Sequence, residues 1–516
     1  MNRREELRGK RIGIFGLGRS GLAIGKAALA LGAFPIVFDQ KSLEELPKRD
    51  AYDEAIGANL NVVLGWRGRF NPAELDWIVS NPAVDRRHPA LKQATEDGIE
   101  ILSEVEFAYR ISLAPIVAIT GTNGKSTTTV MTYLCLEACG EKPILCGNIF
   151  GSGYPEEAMS EAALRATSDQ TLVAEISSFQ LEWISQFKPV SAGITNIWPD
   201  HLDRYEGFDE YAATKQGLFR NMDAHDFVVV KANDPVVRAP GLRGSAYRSR
   251  HNRQGNSADT SASLPTVLQF GATAEHARTE ENGIRILNQF IKLDDLPFDE
   301  PHNMTNACMA ALLAYGLLKV RSVQEPDSHA AKLIEVAERV ESERQRATRS
   351  VFGQRLSEEI PAALPTQVIE GLKAFRGLAH RMEPVGERNG IRVINNSMCT
   401  NPDAVIKSAQ SVKDPAHLLI GGVNKKLDFK PLKNYLANNR RKAYLFGTDA
   451  EELNQMLGGN LPIFDTLEQA FHAATENAVK GEVIMLAPGC ASSDQFRDFR
   501  DRGNVFKAIA KEWLSQ

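Results

Sequence analysis

Pro115-Ile-Val-Ala-Ile-Thr-Gly-Thr-Asn-Gly-Lys-Ser-Thr127 is an apolar run that breaks into a glycine turn followed by lysine and hydroxyls. It reads as a strand, a phosphate-binding loop and the start of a helix. Gly121 and Gly124 let backbone N–H groups turn toward a polyphosphate, Lys125 reaches the terminal phosphates, and Ser126 or Thr127 offers a hydroxyl to Mg²⁺. ATP or a relative is the expected ligand. The long form of such a loop has glycine five residues before Gly124, where this chain has Ile119.

Toward the N-terminus the chain alternates strands and helices: a strand over 11–15, a helix after Gly21, a strand over 35–39 and another over 77–80. The pattern predicts a doubly wound parallel sheet. Between the first strand and helix lies Gly16-Leu-Gly18-Arg-Ser-Gly21, with Asp39 about 20 residues further on, as a dinucleotide fold requires. That geometry suits NAD or the pyrophosphate of a nucleotide sugar, and the segment alone leaves both open. Toward the C-terminus, strands are expected at 171–175 and 192–196, and then at 391–394, 417–420, 443–446 and 483–486. The polar stretch 241–263 reads as a surface loop and the charge-rich stretch 321–361 as a solvated helical insertion.

A chain of 516 residues with 43% apolar content supports several cores. The formal net charge of −5 argues against general nucleic-acid binding, which needs concentrated positive charge. Cys135, Cys139, Cys146, Cys308, Cys399 and Cys490 show no paired CxxC spacing, so they are expected as reduced residues, with Cys135 and Cys139 as buried small hydrophobes. No signal-peptide pattern precedes Phe15, and the apolar patch 307–318 is shorter than the roughly 20 residues of a membrane span. A cytoplasmic monomer with no membrane span, acting on small molecules, is expected.

Glu175 closes the strand over 171–175, where an acidic strand end can bind the Mg²⁺ that bridges nucleotide phosphates. Asn196-Ile-Trp-Pro-Asp-His201-Leu-Asp-Arg-Tyr205 brings imidazole, carboxylate and guanidinium into one short segment. His201 in isolation fits either a metal ligand or a hydrogen-bonded structural residue.

Together with Glu175-Ile-Ser-Ser-Phe-Gln-Leu-Glu182, His302-Asn303-Met-Thr-Asn306, Leu378-Ala-His-Arg381, Gly421-Gly-Val-Asn-Lys425 and Leu486-Ala-Pro-Gly-Cys-Ala-Ser-Ser-Asp-Gln-Phe496, these motifs fall in one order. The chain resembles the Mur ligase family over nearly its whole length, and the last motif resembles the glutamate-adding branch. The resemblance implies an α/β protein of three domains: a Rossmann-like domain over 1–111 for the UDP-substrate, a central P-loop ATPase over 112–377, and a Rossmann-like domain over 378–516 for the amino acid. It places Gly18, Arg19, Ser20, Asp39, Asn81, Asn148 and His201 at the UDP-substrate. It assigns Gly121 to Thr127, Asn303, Asn306, Arg381 and Asn396 to ATP. Ser126, Glu175, His201 and Lys215 are implied for two Mg²⁺ sites, with Lys215 carbamylated. Lys125, His201 and Lys215 form the implied catalytic group, and Thr400, Lys425, Ser492, Ser493 and Phe499 the glutamate site.

The implied reaction adds D-glutamate to UDP-N-acetylmuramoyl-L-alanine through an acyl phosphate. The chain departs from the family pattern at Asn396 and Met398, where an acid and a lysine are usual. A ligase of other specificity such as L-glutamate, a non-enzymatic nucleotide-binding paralogue and a nicotinamide-dependent dehydrogenase are the alternatives.

Overall fold

The structure is a computed structural model that describes residues 3–46, 49–202, 204–237, 264–352, 362–424, 427–439 and 441–516. The stretch 241–263 and Lys425 lie outside the described residues. The chain divides into two compact units, Met1–Phe150 with Tyr154–Phe375, and Gly151–Gly153 with Arg376–Gln516.

In the first unit, five parallel strands lie in the spatial order Asn61–Val63, Phe34–Phe38, Arg11–Phe15, Trp77–Ser80, Glu100–Ser103. The order reverses beside Arg11–Phe15, and ligands of such sheets bind outside the strand ends at that switch point. Gly16 to Gly21 and Asn81 sit there. The helix expected after Gly21 instead spans Arg19–Ala30. Gly21 lies inside it, and a Cβ at that position would lie 1.9 Å from the Gly16 carbonyl oxygen, so helix and turn approach as only glycine allows. The strand expected over 35–39 is Phe34–Phe38, which leaves Asp39 just beyond its end.

The second sheet of this unit has ten strands, with Ile116–Thr120 between Ser191–Ile194 and Gln170–Glu175, all three parallel. Antiparallel pairing is confined to the hairpins among Ala277–Glu280, Gly283–Ile286 and Gln289–Lys292. Ile119 is a fully buried strand residue, so the strand continues where a longer phosphate loop would begin. The strand expected over 192–196 ends at Ile194, freeing Thr195 and Asn196 for the loop.

The apolar patch 307–318 belongs to the helix Pro301–Gln324, buried against the sheet and against the helix Lys125–Ala138. Apolar residues on all sides of a helix fit such a core position. Among the described residues no helix is long and apolar enough to cross a membrane. The insertion expected over 321–361 is only partly that. Arg321 belongs to the last turn of the core helix, where it is buried, pairs with Glu141 at 2.8 Å and donates to the Gln170 carbonyl at 2.8 Å. The helix His329–Phe352 follows, and buries Ala330, Leu333 and Ile334.

The second unit holds six strands in the order Glu383–Arg388, Ile391–Asn395, Val483–Gly489, Ala416–Gly421, Arg441–Phe446, Ile463–Phe464. All pairs are parallel except the first. All six cysteines are free and buried.

Candidate active site

The phosphate loop is braced from the neighbouring strand end. The Thr122 N–H donates to the Asn196 carbonyl at 2.9 Å and the Asn123 N–H to Asn196 Oδ1 at 3.0 Å. The Thr195 hydroxyl and the Asn196 amide both donate to the Asn123 carbonyl, at 2.6 and 3.0 Å. Gly124, at φ +83°, caps the helix Lys125–Ala138, and a Cβ there would lie 2.6 Å from Asn306 Oδ1. The first-turn residues Ser126 and Thr127 therefore follow a left-handed glycine that aims helix N–H groups into the loop, an anion-binding arrangement. Lys125 Nζ donates to the Thr122 carbonyl at 3.0 Å. Asn303, one turn before Asn306, donates to Glu300 at 3.0 Å.

Two buried ionisable groups meet this loop. Glu175 ends the strand directly beside Ile119 and is 3% exposed. Its Oε1 accepts from Asn148 Nδ2 at 2.9 Å, while its Oε2 is buried without a hydrogen-bond partner. Gly147 is required beside it, since a Cβ would stand 2.2 Å from the Glu175 carbonyl oxygen. Lys215, in the last turn of the helix Phe208–Gln216, is 2% exposed and donates to the Gly121 carbonyl at 2.7 Å. Burial first, and then the charge of Lys125, push its amine down to about 7, against the opposing pull of Asp200 and Glu175.

His201 takes a left-handed backbone, φ +53°, and its ring lies 4.8 Å from that of Phe179 and 6.4 Å from that of Tyr211. Tyr211 in turn meets the Thr122 hydroxyl at 3.1 Å. The His201 side chain is 47% exposed, with Nε2 3.6 Å from Asp200 Oδ2.

At the first sheet's switch point, Gly16, Leu17, Gly18, Asp39, Lys41, Leu46, Ala51, Asn81 and Val84 are among the walls of a pocket of about 470 Å³. Asp39 stitches it together by accepting from the Leu17 N–H at 2.8 Å and the Lys41 N–H at 2.9 Å. Arg19 and Ser20 are turned elsewhere. The Arg19 guanidinium donates to the Ile149 carbonyl at 3.1 Å and lies over the Phe150 ring, and the Ser20 hydroxyl donates to buried Glu104 at 2.5 Å. Burial raises the Glu104 carboxyl above its ordinary range.

In the second unit, Arg381 stands between His380 and Met382, both left-handed at φ +60° and +47°. Asn396 accepts from the Met382 N–H at 3.1 Å and donates to Ser408 Oγ at 2.7 Å, so its amide ties this turn to the helix Pro402–Ser411. Ser397 donates to the Phe499 carbonyl at 2.7 Å, and buried Arg502 donates to the carbonyls of Ser397 and Cys490 at 2.9 and 3.1 Å. The segments carrying Thr400, Ser492 and Phe499 thus converge, with Ser492 buried and Ser493 exposed. Tyr211, Thr195, Asn196 and Glu104 were missed from the residues alone; of these, only the four-residue spacing of Tyr211 from Lys215 carried a signal.

Residues 119–314 match the Mur ligase middle domain, and residues 380–490 match the Mur ligase glutamate ligase domain. The chain belongs to the Mur ligase family. It is 34% identical to the UDP-N-acetylmuramoylalanine–D-glutamate ligase of Caldanaerobacter subterraneus subsp. tengcongensis, over 97% of this chain and 98% of that one. It is 32% identical to the enzyme of the same name from Koribacter versatilis, over 99% of both chains. In fold it is similar to the UDP-N-acetylmuramate–alanine ligase of Thermotoga maritima, with a TM-score of 0.51 and 16% identity over 98% of this chain and 99% of that one.

Proposed function

We propose that this protein is an ATP- and Mg²⁺-dependent ligase of peptidoglycan synthesis that joins D-glutamate to UDP-N-acetylmuramoyl-L-alanine. It acts as a cytoplasmic monomer with three functional domains over 1–111, 112–377 and 378–516. The names of its full-length relatives support the substrate pair, and the buried, unpartnered Oε2 of Glu175 beside the phosphate loop carries the chemistry.

A free carboxylate is a poor electrophile because its charge is delocalised. The substrate's alanyl carboxylate attacks the γ-phosphorus of ATP, ADP departs, and the acyl phosphate then has a good leaving group. The glutamate amine attacks its carbonyl, giving an amide and phosphate. The N–H groups that open the helix Lys125–Ala138, together with Lys125, hold the phosphates in line and offset the accumulating charge. Among the described residues no group of three or more His, Cys, Asp and Glu forms an all-protein metal cage. That fits Mg²⁺, which takes few protein ligands and completes its shell with phosphates and water. Glu175 and Ser126 would hold one ion, and His201 with Lys215 a second; when bound, the ions supply charge neutralisation.

Lys215 suits carbamylation because an amine lowered to about 7 is substantially unprotonated near neutrality and can add to CO₂. The added proton load leaves to solvent, and the product is an anionic oxygen ligand in place of a cation. Asn81 and the pocket walls receive the uridine nucleotide. Thr400, Lys425, Ser492, Ser493 and Phe499 receive glutamate, while Arg381, Asn303 and Asn306 contact the nucleotide.

Phosphate release by the purified protein with ATP, Mg²⁺ and UDP-N-acetylmuramoyl-L-alanine tests this. Release that requires D-glutamate is expected. Release with L-glutamate in its place would overturn the stereochemistry, and no release with either would overturn the reaction.

A further inference from the structure

Arg204 is 8% exposed, and its guanidinium joins three segments of the first unit. Its own N–H closes a turn on the His201 carbonyl at 3.0 Å, which fixes it to the loop that carries the imidazole. From there Nη1 donates to the Pro82 carbonyl and Nη2 to the Val84 carbonyl, both at 2.8 Å. Ala83 and Val84 line the pocket at the first sheet's switch point, directly after Asn81. On its other side the fork is held by Glu182, with Nε at 2.9 Å from Oε1 and Nη2 at 2.7 Å from Oε2. Glu182 lies on the segment leaving the strand that ends in Glu175, and its side chain is fully buried. The plane of the guanidinium covers the Phe179 ring at 4.0 Å, and that ring is the neighbour of His201.

A second contact runs beside the first. Arg86, two residues past Val84, pairs with Glu210 on the helix that carries Lys215. The turn after Asn81 is thus strapped to the His201 loop by a buried fork and to the Lys215 helix by a half-buried ion pair.

We infer that Arg204 is a positioning residue which sets the wall of the nucleotide-sugar pocket in register with the His201 loop, so that a nucleotide sugar held at Asn81 presents its far end at a fixed distance from the phosphate loop. This rests on the functional reading given above. The planar fork is essential to it: one group meets two carbonyls and a bidentate carboxylate at once, and a lysine ammonium cannot match that geometry. The phosphate-loop bonds from Thr195 and Asn196 do not pass through Arg204, so its effect should fall on one substrate and not the other.

The test uses the full chain with Arg204→Lys, and Glu210→Gln as a milder change at a solvent-reaching ion pair. The readouts are the Kd for UDP by calorimetric titration, the KM values for UDP-N-acetylmuramoyl-L-alanine and for ATP, and Tm. For Arg204→Lys, a tenfold or greater rise in the UDP Kd and the nucleotide-sugar KM is expected, with the ATP KM within twofold; Glu210→Gln should raise the same two constants by a smaller factor. A fall in Tm with both KM values unchanged would reduce Arg204 to a structural role. An equal rise in both KM values would remove the selectivity that the inference requires. If Arg204→Lys does not fold, an unchanged UDP Kd in Glu210→Gln overturns the strap. Failure of the native protein to use the nucleotide sugar would instead count against the functional reading, since UDP binding is read without turnover.

Discussion

The two glycine turns of the first unit share a plan and differ in what surrounds them. At 16–21 and again at 121–124, a buried parallel strand ends in a glycine turn that opens a helix. The first turn faces Leu46, Ala51 and Val84, with Asp39 already engaged by two backbone N–H groups. The second faces Lys125, buried Lys215 and the free oxygen of Glu175. Glycine chemistry sets how closely a ligand can approach. The neighbours then decide whether that ligand is the body of a nucleotide or a chain of phosphates with its cation.

Breaking the second turn should cost most. Lys125→Ala removes a positive charge from the phosphates, and turnover should fall by about 10³-fold, as when a preorganised charge-stabilising group is lost; phosphate release is the measure, and near-native activity would remove the assigned role. Gly124→Ala places a Cβ 2.6 Å from Asn306 Oδ1 on a left-handed backbone, and displacement of the loop should cost about 10²-fold in kcat/KM for ATP. The matching change in the first turn, Gly18→Ala, meets only Asn81 Nδ2 at 3.3 Å and should raise the nucleotide-sugar KM by a few-fold.

Lys215→Ala should lower turnover by about 10- to 100-fold, the scale of a lost metal-site group, with partial recovery on adding acetate. Full activity without acetate would argue against a carbamate. The same lysine gives the mildest effect, on stability. Its folded-state value of about 7 lies below the ordinary 10.5, so the folded chain binds fewer protons than the unfolded chain between those values. Native stability from this group therefore rises with pH across that window, and below it the buried charge is a constant cost. In CO₂-depleted buffer, Lys215→Met should have a higher Tm than the native protein at pH 6, and the difference should shrink as pH climbs above about 7. A difference independent of pH would contradict the buried amine.

Much of this was legible in the residues. The strands at 11–15 and 77–80 are short apolar runs ended by turn residues, and the phosphate loop declares itself by glycine, lysine and hydroxyl spacing. Strand ends were less so: Thr195 and Asn196 look like strand residues, but their side chains are taken up by the Asn123 carbonyl. Long-range partners left no local trace. Ser20 reads as a loop hydroxyl aimed at ligand, yet it donates to Glu104 across 84 positions. Without the family resemblance, Lys215 reads as a surface lysine on a polar helix; only the fold reveals that the helix end is packed under the Gly121 carbonyl.

The most direct measurement is a pair of calorimetric titrations, UDP and Mg–ADP, each with the other absent and then saturating, on the native protein, Lys125→Ala and Gly16→Ala. In the last a Cβ would stand 2.8 Å from Asn81 Cβ. Two ligands should bind at once, with Mg–ADP binding lost in Lys125→Ala alone and UDP binding lost in Gly16→Ala alone. Mutual displacement of the two ligands, or loss of both in one variant, would contradict it.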